Sequence, residues 1–186
     1  MDHRAGGIVF ADFNSRWSSG TMESNIFQKI LVPADFSPCS NEALRFALEI
    51  GRAFKSEVTV LHVIDTSAIT ALNRLGLLAV PSDEGRQRKR LRHQARLNMR
   101  RLMESMPLSG LAVTRVVAEG TPFIEIGKFI RQEQVDLVVM GSYGGRSENM
   151  EKIFFGATAE KVVRTAGCAV LTVPLPAKRV RNATVL

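Results

Sequence analysis

The sequence predicts a single doubly wound α/β domain: a five-stranded parallel sheet with helices on both faces. Three observations carry that expectation. Five short apolar runs rich in β-branched residues recur along the chain. Most are continuous rather than alternating, as strands buried on both faces are. Between them lie segments whose apolar residues recur at helical spacing. Parallel neighbours must be joined by crossovers, and helices packed on both faces are the compact way to supply them.

The elements follow in order. Residues 1–25 mix Gly, Ser, Arg and Asp without period and read as a disordered extension, with Met22 a candidate start of the natural chain. The α/β domain is expected over residues 26–175. Ile30-Leu31-Val32, ended by Pro33, is the first strand. Ser37 then offers an N-cap with Pro38 at the first helical position, and Ala43, Leu44, Ala47, Leu48, Gly51 and Phe54 recur on one helical face. Val58 to Ile64 is the second strand. A variable stretch leads to a long helix from about Asp83 to Met106. Leu111 to Val117 is the third strand, and Thr121 to Gln134 a helix buried through Phe123, Ile126, Gly127 and Ile130. Leu137 to Met140 is the fourth strand, ending at Gly141. Phe155, Ala159, Val162, Val163 and Ala166 mark the last helix, and Ala169 to Val173 a buried last strand. Residues 176–186 form a basic tail.

Composition narrows the class. The chain has 186 residues, 45% of them hydrophobic and 23% charged, ordinary values for one globular domain. No run reaches the roughly 18 apolar residues of a membrane span, and the N-terminus lacks the layout of a secretory signal, so a cytoplasmic protein is expected. Cys39 and Cys168 lie far apart, and His3, His62 and His93 are scattered, which supports neither a disulfide framework nor a metal site. The net charge of +7 suggests nucleic acid until it is located. Eight basic residues and no acidic one lie between Arg86 and Arg101, leaving 17 basic against 18 acidic residues elsewhere, a net of −1.

In doubly wound sheets, ligands lie beyond the carboxyl ends of the strands where strand order reverses. The candidate site is therefore Pro33-Ala34-Asp35, Val63-Ile64-Asp65 and Gly141-Ser142-Tyr143-Gly144-Gly145. Glycines after a buried strand let backbone approach a ligand, and a following helix presents free N–H groups and a positive dipole end, so Gly141, Gly144, Gly145, Gly156, Ala157 and Thr158 suit phosphate. A simple turn is the bland alternative. Asp35 suits an adenine amino group or ribose hydroxyl; it equally suits a turn or an extra helix cap. His62 reads as a satisfied half-buried residue, having no partner placed for a triad. The Walker P-loop and the Gly-x-Gly-x-x-Gly fingerprint are both missing, which excludes a P-loop NTPase and argues against dinucleotide binding.

The arrangement resembles the universal stress protein family. The resemblance rests on Ile30-Leu31-Val32-Pro33-Ala34-Asp35-Phe36-Ser37, Leu61-His62-Val63-Ile64-Asp65 and Gly120-Thr121-Pro122. Its most specific stretches are Val138-Val139-Met140-Gly141-Ser142-Tyr143-Gly144, Gly156-Ala157-Thr158-Ala159-Glu160-Lys161-Val162 and Cys168-Ala169-Val170-Leu171-Thr172-Val173. Together they cover nearly everything from Phe27 to Pro174. It implies a stress-response regulator or sensor, a homodimer paired through the last strand (Ala169 to Val173), and, in one branch, bound ATP or ADP, with or without Mg2+. Carried over, Pro33, Asp35 and the backbone near Val63 would meet adenine or ribose, and Gly141, Gly144 (or Gly145) and Gly156 would wrap the phosphates.

Two departures bear on that implication. Gly144 to Gly156 encloses eleven residues where the family pattern has nine, and Ala157 replaces its Ser/Thr hydroxyl. Losing one hydrogen bond to a charged group, about 1.5–3 kcal/mol, weakens affinity by about one to two powers of ten. Nucleotide is thus expected at modest affinity through backbone amides, with Thr158 a substitute donor, and hydrolysis at most slow for want of a general base and a magnesium ligand set. The alternative is a dimeric interaction module of the same fold that has lost its ligand. An enzyme is the third reading.

Two features stand apart. On a projection from Leu91, Ala95, Met99, Leu102, Met103 and Met106 share one face of the long helix and its basic residues lie mainly opposite. That outward face is either simply solvated or meets an acidic partner: nucleic acid, an anionic membrane or an acidic protein. Cys39, near a helix start, is either a reactive thiol or packed and inert; Cys168 reads as core.

Overall fold

The structure is a computed structural model that describes residues 26–67, 81–143 and 155–175. The element order is β1 (Lys29–Pro33), α1 (Pro38–Phe54), β2 (Glu57–Asp65), α2 (Pro81–Glu104), β3 (Val113–Gly120), α3 (Pro122–Glu133), β4 (Leu137–Gly141), α4 (Ala157–Thr165) and β5 (Ala169–Val173). The strands form one parallel sheet ordered β3-β2-β1-β4-β5. The chain runs outward from β1 to β3, then returns to the other side of β1, so the strand order reverses between β1 and β4. Residues 1–25, 176–186 and the glycines Gly144 and Gly145 lie outside the described residues.

The strands' alternation divides the core in two. Ile30, Val32, Val58, Val60 and Val139 pack with Ala43, Leu44 and Leu48 of α1 and Met99, Leu102 and Met103 of α2. Leu31, Leu61, Val138 and Met140 point the other way, onto Ile126 and Ile130 of α3 and Ala159 and Val162 of α4. Because β1 and β4 meet helices on both sides, every residue of Leu137–Met140 is buried, which is why the run is continuously apolar.

α1 begins as its sequence dictates. Ser37 Oγ accepts the Ser40 N–H at 3.2 Å, and Pro38 occupies the first turn, where its missing N–H costs nothing. The helix ends on Lys55 in the left-handed region. Gly51 lets it press onto β2: a Cβ there would lie 2.9 Å from Val58 Cγ2.

Several boundaries differ from the sequence expectation. β3 runs Val113–Gly120 rather than Leu111–Val117. Leu111 is held in a turn by Leu108 C=O, while pairing with β2 continues to Asp65↔Gly120. The long helix starts at Pro81 and ends at Glu104. Leu91, taken as the origin of its buried face, is exposed, because the apolar contact is made further along by Ala95, Met99, Leu102, Met103 and Met106. Phe155 and Val163 are also exposed. β5 is not buried throughout: as an edge strand it hides only Val173 fully and leaves Ala169 and Leu171 exposed.

Glu119 on β3 is bracketed by Arg88 (3.4 Å) and Arg92, which ties α2 to the sheet. The hydrogen bond from Arg92, aided by both guanidinium charges, holds the Glu119 carboxyl below its ordinary range. Cys39 is 1% exposed and its thiol donates to Val173 C=O at 3.1 Å, the packed arrangement. Cys168 is half-buried, and burial pushes its thiol up to about 11, so it stays protonated at neutral pH. Among the described residues, no helix is long and apolar enough to cross a membrane, and no group of three His, Cys, Asp or Glu side chains could hold a metal.

The Ser37 cap is expected to contribute measurably to stability. Ser37→Ala should lower the free energy of unfolding by about 1 kcal/mol, read as a reduced urea midpoint at constant m-value; an unchanged midpoint would show that the cap is not formed.

Candidate functional site

The carboxyl ends of β1, β2 and β4 and the start of α4 enclose a cleft of about 290 Å³. That volume is at the low end for small-molecule sites, about 300–1,000 Å³. Of the residues singled out from sequence, Pro33, Asp35, Val63, Gly141, Gly156, Ala157 and Thr158 line it. Gly144 and Gly145 lie outside the described residues.

Each wall has a local cause. Ala34 N–H still bonds Leu61 C=O (2.9 Å), and there the β1–β2 ladder stops. β2 continues four residues further, paired only with β3. Since alternate residues of a strand turn their polar groups to the same side, Val63 directs its N–H and C=O past the end of β1, into the cleft. A donor and an acceptor therefore stand side by side on a rigid strand. His62, on the opposite alternation, uses Nδ1 to donate to Ala34 C=O at 2.7 Å, and its ring packs 4.3 Å from that of Phe36. Burial lowers its pKa from the ordinary 6.5, outweighing the opposing pull of the Ala34 bond and Asp35, so the imidazole is neutral at pH 7. It is half-buried and hydrogen-bonded, the placement expected for it.

Asp35 is exposed at the rim, and its Oδ1 accepts the Ser37 N–H at 3.0 Å. The extra-cap reading is thus realised. A carboxylate oxygen has several lone-pair directions, so this bond leaves Asp35 able to accept from a ligand as well.

On the opposite wall, Gly141 allows β4 to run against the first turn of α1. A Cβ there would lie 3.0 Å from Cys39 Sγ and 3.1 Å from Ser40 N. Ser142 N–H then bonds Val173 C=O, and Ser142 C=O accepts the Gly156 N–H at 2.9 Å. This pair of bonds sets where α4 begins. Gly156 is its N-cap, and no side chain caps it among the described residues. The first-turn N–H groups of Ala157, Thr158 and Ala159 precede the first intrahelical bond, Glu160 N–H to Gly156 C=O. The positive end of the α4 dipole meets there with three donors that have no backbone partner among the described residues, an arrangement suited to an anion.

Sequence reasoning missed other lining residues. Pro122 and Ile126 of α3 supply an apolar wall and Met140 and Leu61 the floor, while Tyr143, already within the expected Gly141-to-Gly145 stretch, forms the edge beyond Gly141. Pro122 was visible as part of a turn, but only the pairing of β3 with β2 brings α3 over this end of the sheet. Asp35 is the one carboxylate among the described lining residues, so they contain no paired acid and base.

Comparison with known proteins gives one consistent result. The family model described as "Universal stress protein family" matches residues 26–174. Universal stress protein MJ0531 of Methanocaldococcus jannaschii is 30% identical over 154 residues, spanning 83% of this chain and 86% of that protein. MJ0577 of the same organism is 32% identical over 162 residues, spanning 81% and 96%; a solved structure of MJ0577 superposes with a TM-score of 0.65 at 29% identity, covering 82% of this chain and 99% of that one. A universal stress family protein from Arabidopsis thaliana, solved with AMP bound, shares the fold at 17% identity and a TM-score of 0.55, covering 84% and 97%.

Two outcomes test the geometry of this site. Gly141→Ala should destabilise the protein by about 1–3 kcal/mol through overpacking against α1, measured by urea unfolding; full retention of stability would mean that the approach is looser than described. His62, with a lowered folded pKa, is protonated more readily unfolded than folded. Its contribution is therefore present above pH 6.5 and lost as pH falls through the folded pKa. The wild type should lose more stability than His62→Gln between neutral and mildly acidic pH; parallel curves would contradict this.

Proposed function

Because the chain belongs to the universal stress protein family, we propose that it is a stress-response regulator or sensor that binds ATP or ADP in the cleft between β1, β2 and β4. The observation that carries this reading is the convergence of seven sequence-predicted residues on one cleft, with the unpaired Val63 backbone at one end and the α4 N-terminus at the other. On this reading, Val63 N–H and C=O meet the adenine edge between the apolar walls of Pro33 and Pro122. Asp35 accepts from ribose hydroxyls. The amides of Ala157 and Thr158 face the phosphates, with Gly156 letting them approach closely, and the 144–156 segment supplies Gly144 or Gly145. AMP bound to the Arabidopsis protein of the same fold supports the reading by analogy of fold alone.

Recognition by main-chain groups explains how binding survives Ala157. The peptide N–H remains, and only the hydroxyl of the family pattern is lost. Thr158, one position on and partly buried in the wall, offers the nearest replacement. Any Mg2+ accompanies the nucleotide's phosphates. Turnover should be slow, because Asp35 stands without a second acid or base among the described lining residues.

The protein is further proposed to work as a cytoplasmic homodimer joined along β5. β5 is the terminal strand of the sheet. Val173 C=O faces β4, where it accepts from Ser142, so Val170 and Thr172 direct their N–H groups away from the sheet, toward a second copy.

Calorimetry with ATP and magnesium should give saturable binding at millimolar nucleotide or below. Ala157→Ser should tighten it about tenfold by restoring a charged hydrogen bond, and Asp35→Ala should weaken it. No heat at millimolar ATP with any of these proteins would reject the nucleotide reading in favour of an interaction module that has lost its ligand. Native mass spectrometry should report a dimer that Thr172→Pro converts to monomer; a monomeric wild type would reject pairing along β5.

A further inference from the structure

We infer that the flank of α2 above the edge strand β3 is a docking surface for duplex DNA, gripped through its phosphates and without sequence preference. The surface is separate from the nucleotide cleft, and the inference does not rest on that reading.

The charge of α2 is one-sided in a way that a merely solvated helix does not require. Stepping 100° per residue, Lys89, Arg96 and Arg100 fall within an arc of about 40°. All three are exposed, and among the described residues none has a carboxylate partner. Arg86, Arg90 and Arg101 continue the basic surface over the crest of the helix. The far flank is uncharged: Gln87, Leu91, Gln94 and Asn98, with Gln94 donating to Asn98. The sheet extends the cationic side, because Arg115 is exposed and by alternation shares the face of β3 with Val117 and Glu119, beside which Arg92 and Arg96 lie. Glu119 is occupied by Arg88 and Arg92, which neutralises the inner margin of the ridge and anchors it; Glu104, exposed one turn beyond Arg100, makes no ion pair with the outer cations among the described residues.

The ridge is also rigid. Ala95, Met99, Leu102 and Met103 are buried on the sheet and fix the helix from Ala95 onward, and the pairing of Arg88 and Arg92 with Glu119 ties down the turns before it, which leaves its charges at set spacings. From Arg86 to Arg101 it extends about 22 Å, at 1.5 Å per residue. Like charges held in a row repel one another, and a partner carrying a dense row of anions relieves that repulsion by releasing its own counterions. Arginine dominates the run, seven of eight residues, and its guanidinium fork matches phosphate geometry and keeps its charge at all physiological pH.

Other polyanions fit less well. Membrane docking by an amphipathic helix needs an apolar face to enter the lipid, and here that face is spent on the core. Single strands are held by stacking on aromatic rings, and the segment from Arg86 to Arg101 contains no Phe, Tyr or Trp.

The test is fluorescence anisotropy of a short labelled duplex of mixed sequence titrated with the full chain. Contacts from Lys89, Arg96, Arg100 and Arg115 should make affinity fall roughly 100-fold between about 50 and 200 mM salt. Lys89→Gln/Arg96→Gln/Arg100→Gln should weaken low-salt binding at least about tenfold and reduce the salt slope by about 2.7, at about 0.9 per lost contact. The single variants R96Q and R100Q should each remove about 0.9 of that slope. Arg45→Gln/Arg131→Gln/Arg164→Gln, which removes the same charge from other exposed helix positions, should leave binding within about twofold. Equal losses in the two triple variants would overturn the inference, since only net charge would then matter. So would absence of saturable duplex binding at low salt, tighter binding of a single strand than of the duplex, or capture by phosphatidylserine vesicles in place of DNA.

Discussion

The carboxyl edge of the sheet depends on how closely β4 approaches the first turn of α1. Gly141 makes that approach possible, because any side chain there would press on Cys39 and on the Ser40 amide. The approach in turn places Val173 C=O where it accepts from both Cys39 Sγ and Ser142 N–H. Ser142 passes the constraint on, since its carbonyl holds the Gly156 amide and so fixes the origin of α4. A helix that begins anywhere else would aim its unpaired N–H groups away from the cleft. A missing methyl group, a thiol and two main-chain bonds therefore set the direction of the dipole on which the proposed phosphate site rests.

Main-chain recognition follows from this construction. At the other end of the cleft the same logic operates through the premature end of β1, which leaves the Val63 donor and acceptor without a neighbouring strand. Both groups belong to regular elements and are oriented before any ligand arrives, so little ordering entropy would be lost on binding. Side chains matter less here. The proposed site would tolerate Ala157, whereas a change at Gly141 reaches the cleft through the fold.

Much of this was legible in the sequence, for identifiable reasons. The Ser37-Pro38 start of α1 follows from local hydrogen-bond chemistry, and β1 and β4 announce themselves as continuous apolar runs because both of their faces are covered. The reversal of strand order is a consequence of those elements, so the cleft could be located from strand ends alone. Tertiary placement accounts for what was missed. The end of β3 depends on its pairing with β2 up to Gly120, which no local pattern encodes. The exposure of Ala169 and Leu171 reflects the edge position of β5, invisible in a run that reads like a central strand. Leu91 fits the helical period but lies where α2 has not yet met the apolar part of the sheet. Glu119 and the arginines that bracket it are separated by about thirty residues, and only the fold joins them. The net charge of +7 likewise changed meaning: it belongs to one helix, with an acid of the sheet at its inner margin.

The central claim is that the Val63 backbone and the α4 N-terminus together hold an adenine nucleotide. An amide NMR titration with ATP and magnesium examines both ends at once. The account predicts saturable shifts concentrated at Val63, Gly141, Gly156, Ala157 and Thr158, with one dissociation constant for all. Shifts absent from these amides at millimolar ATP, or confined to the arginines of α2, would contradict it.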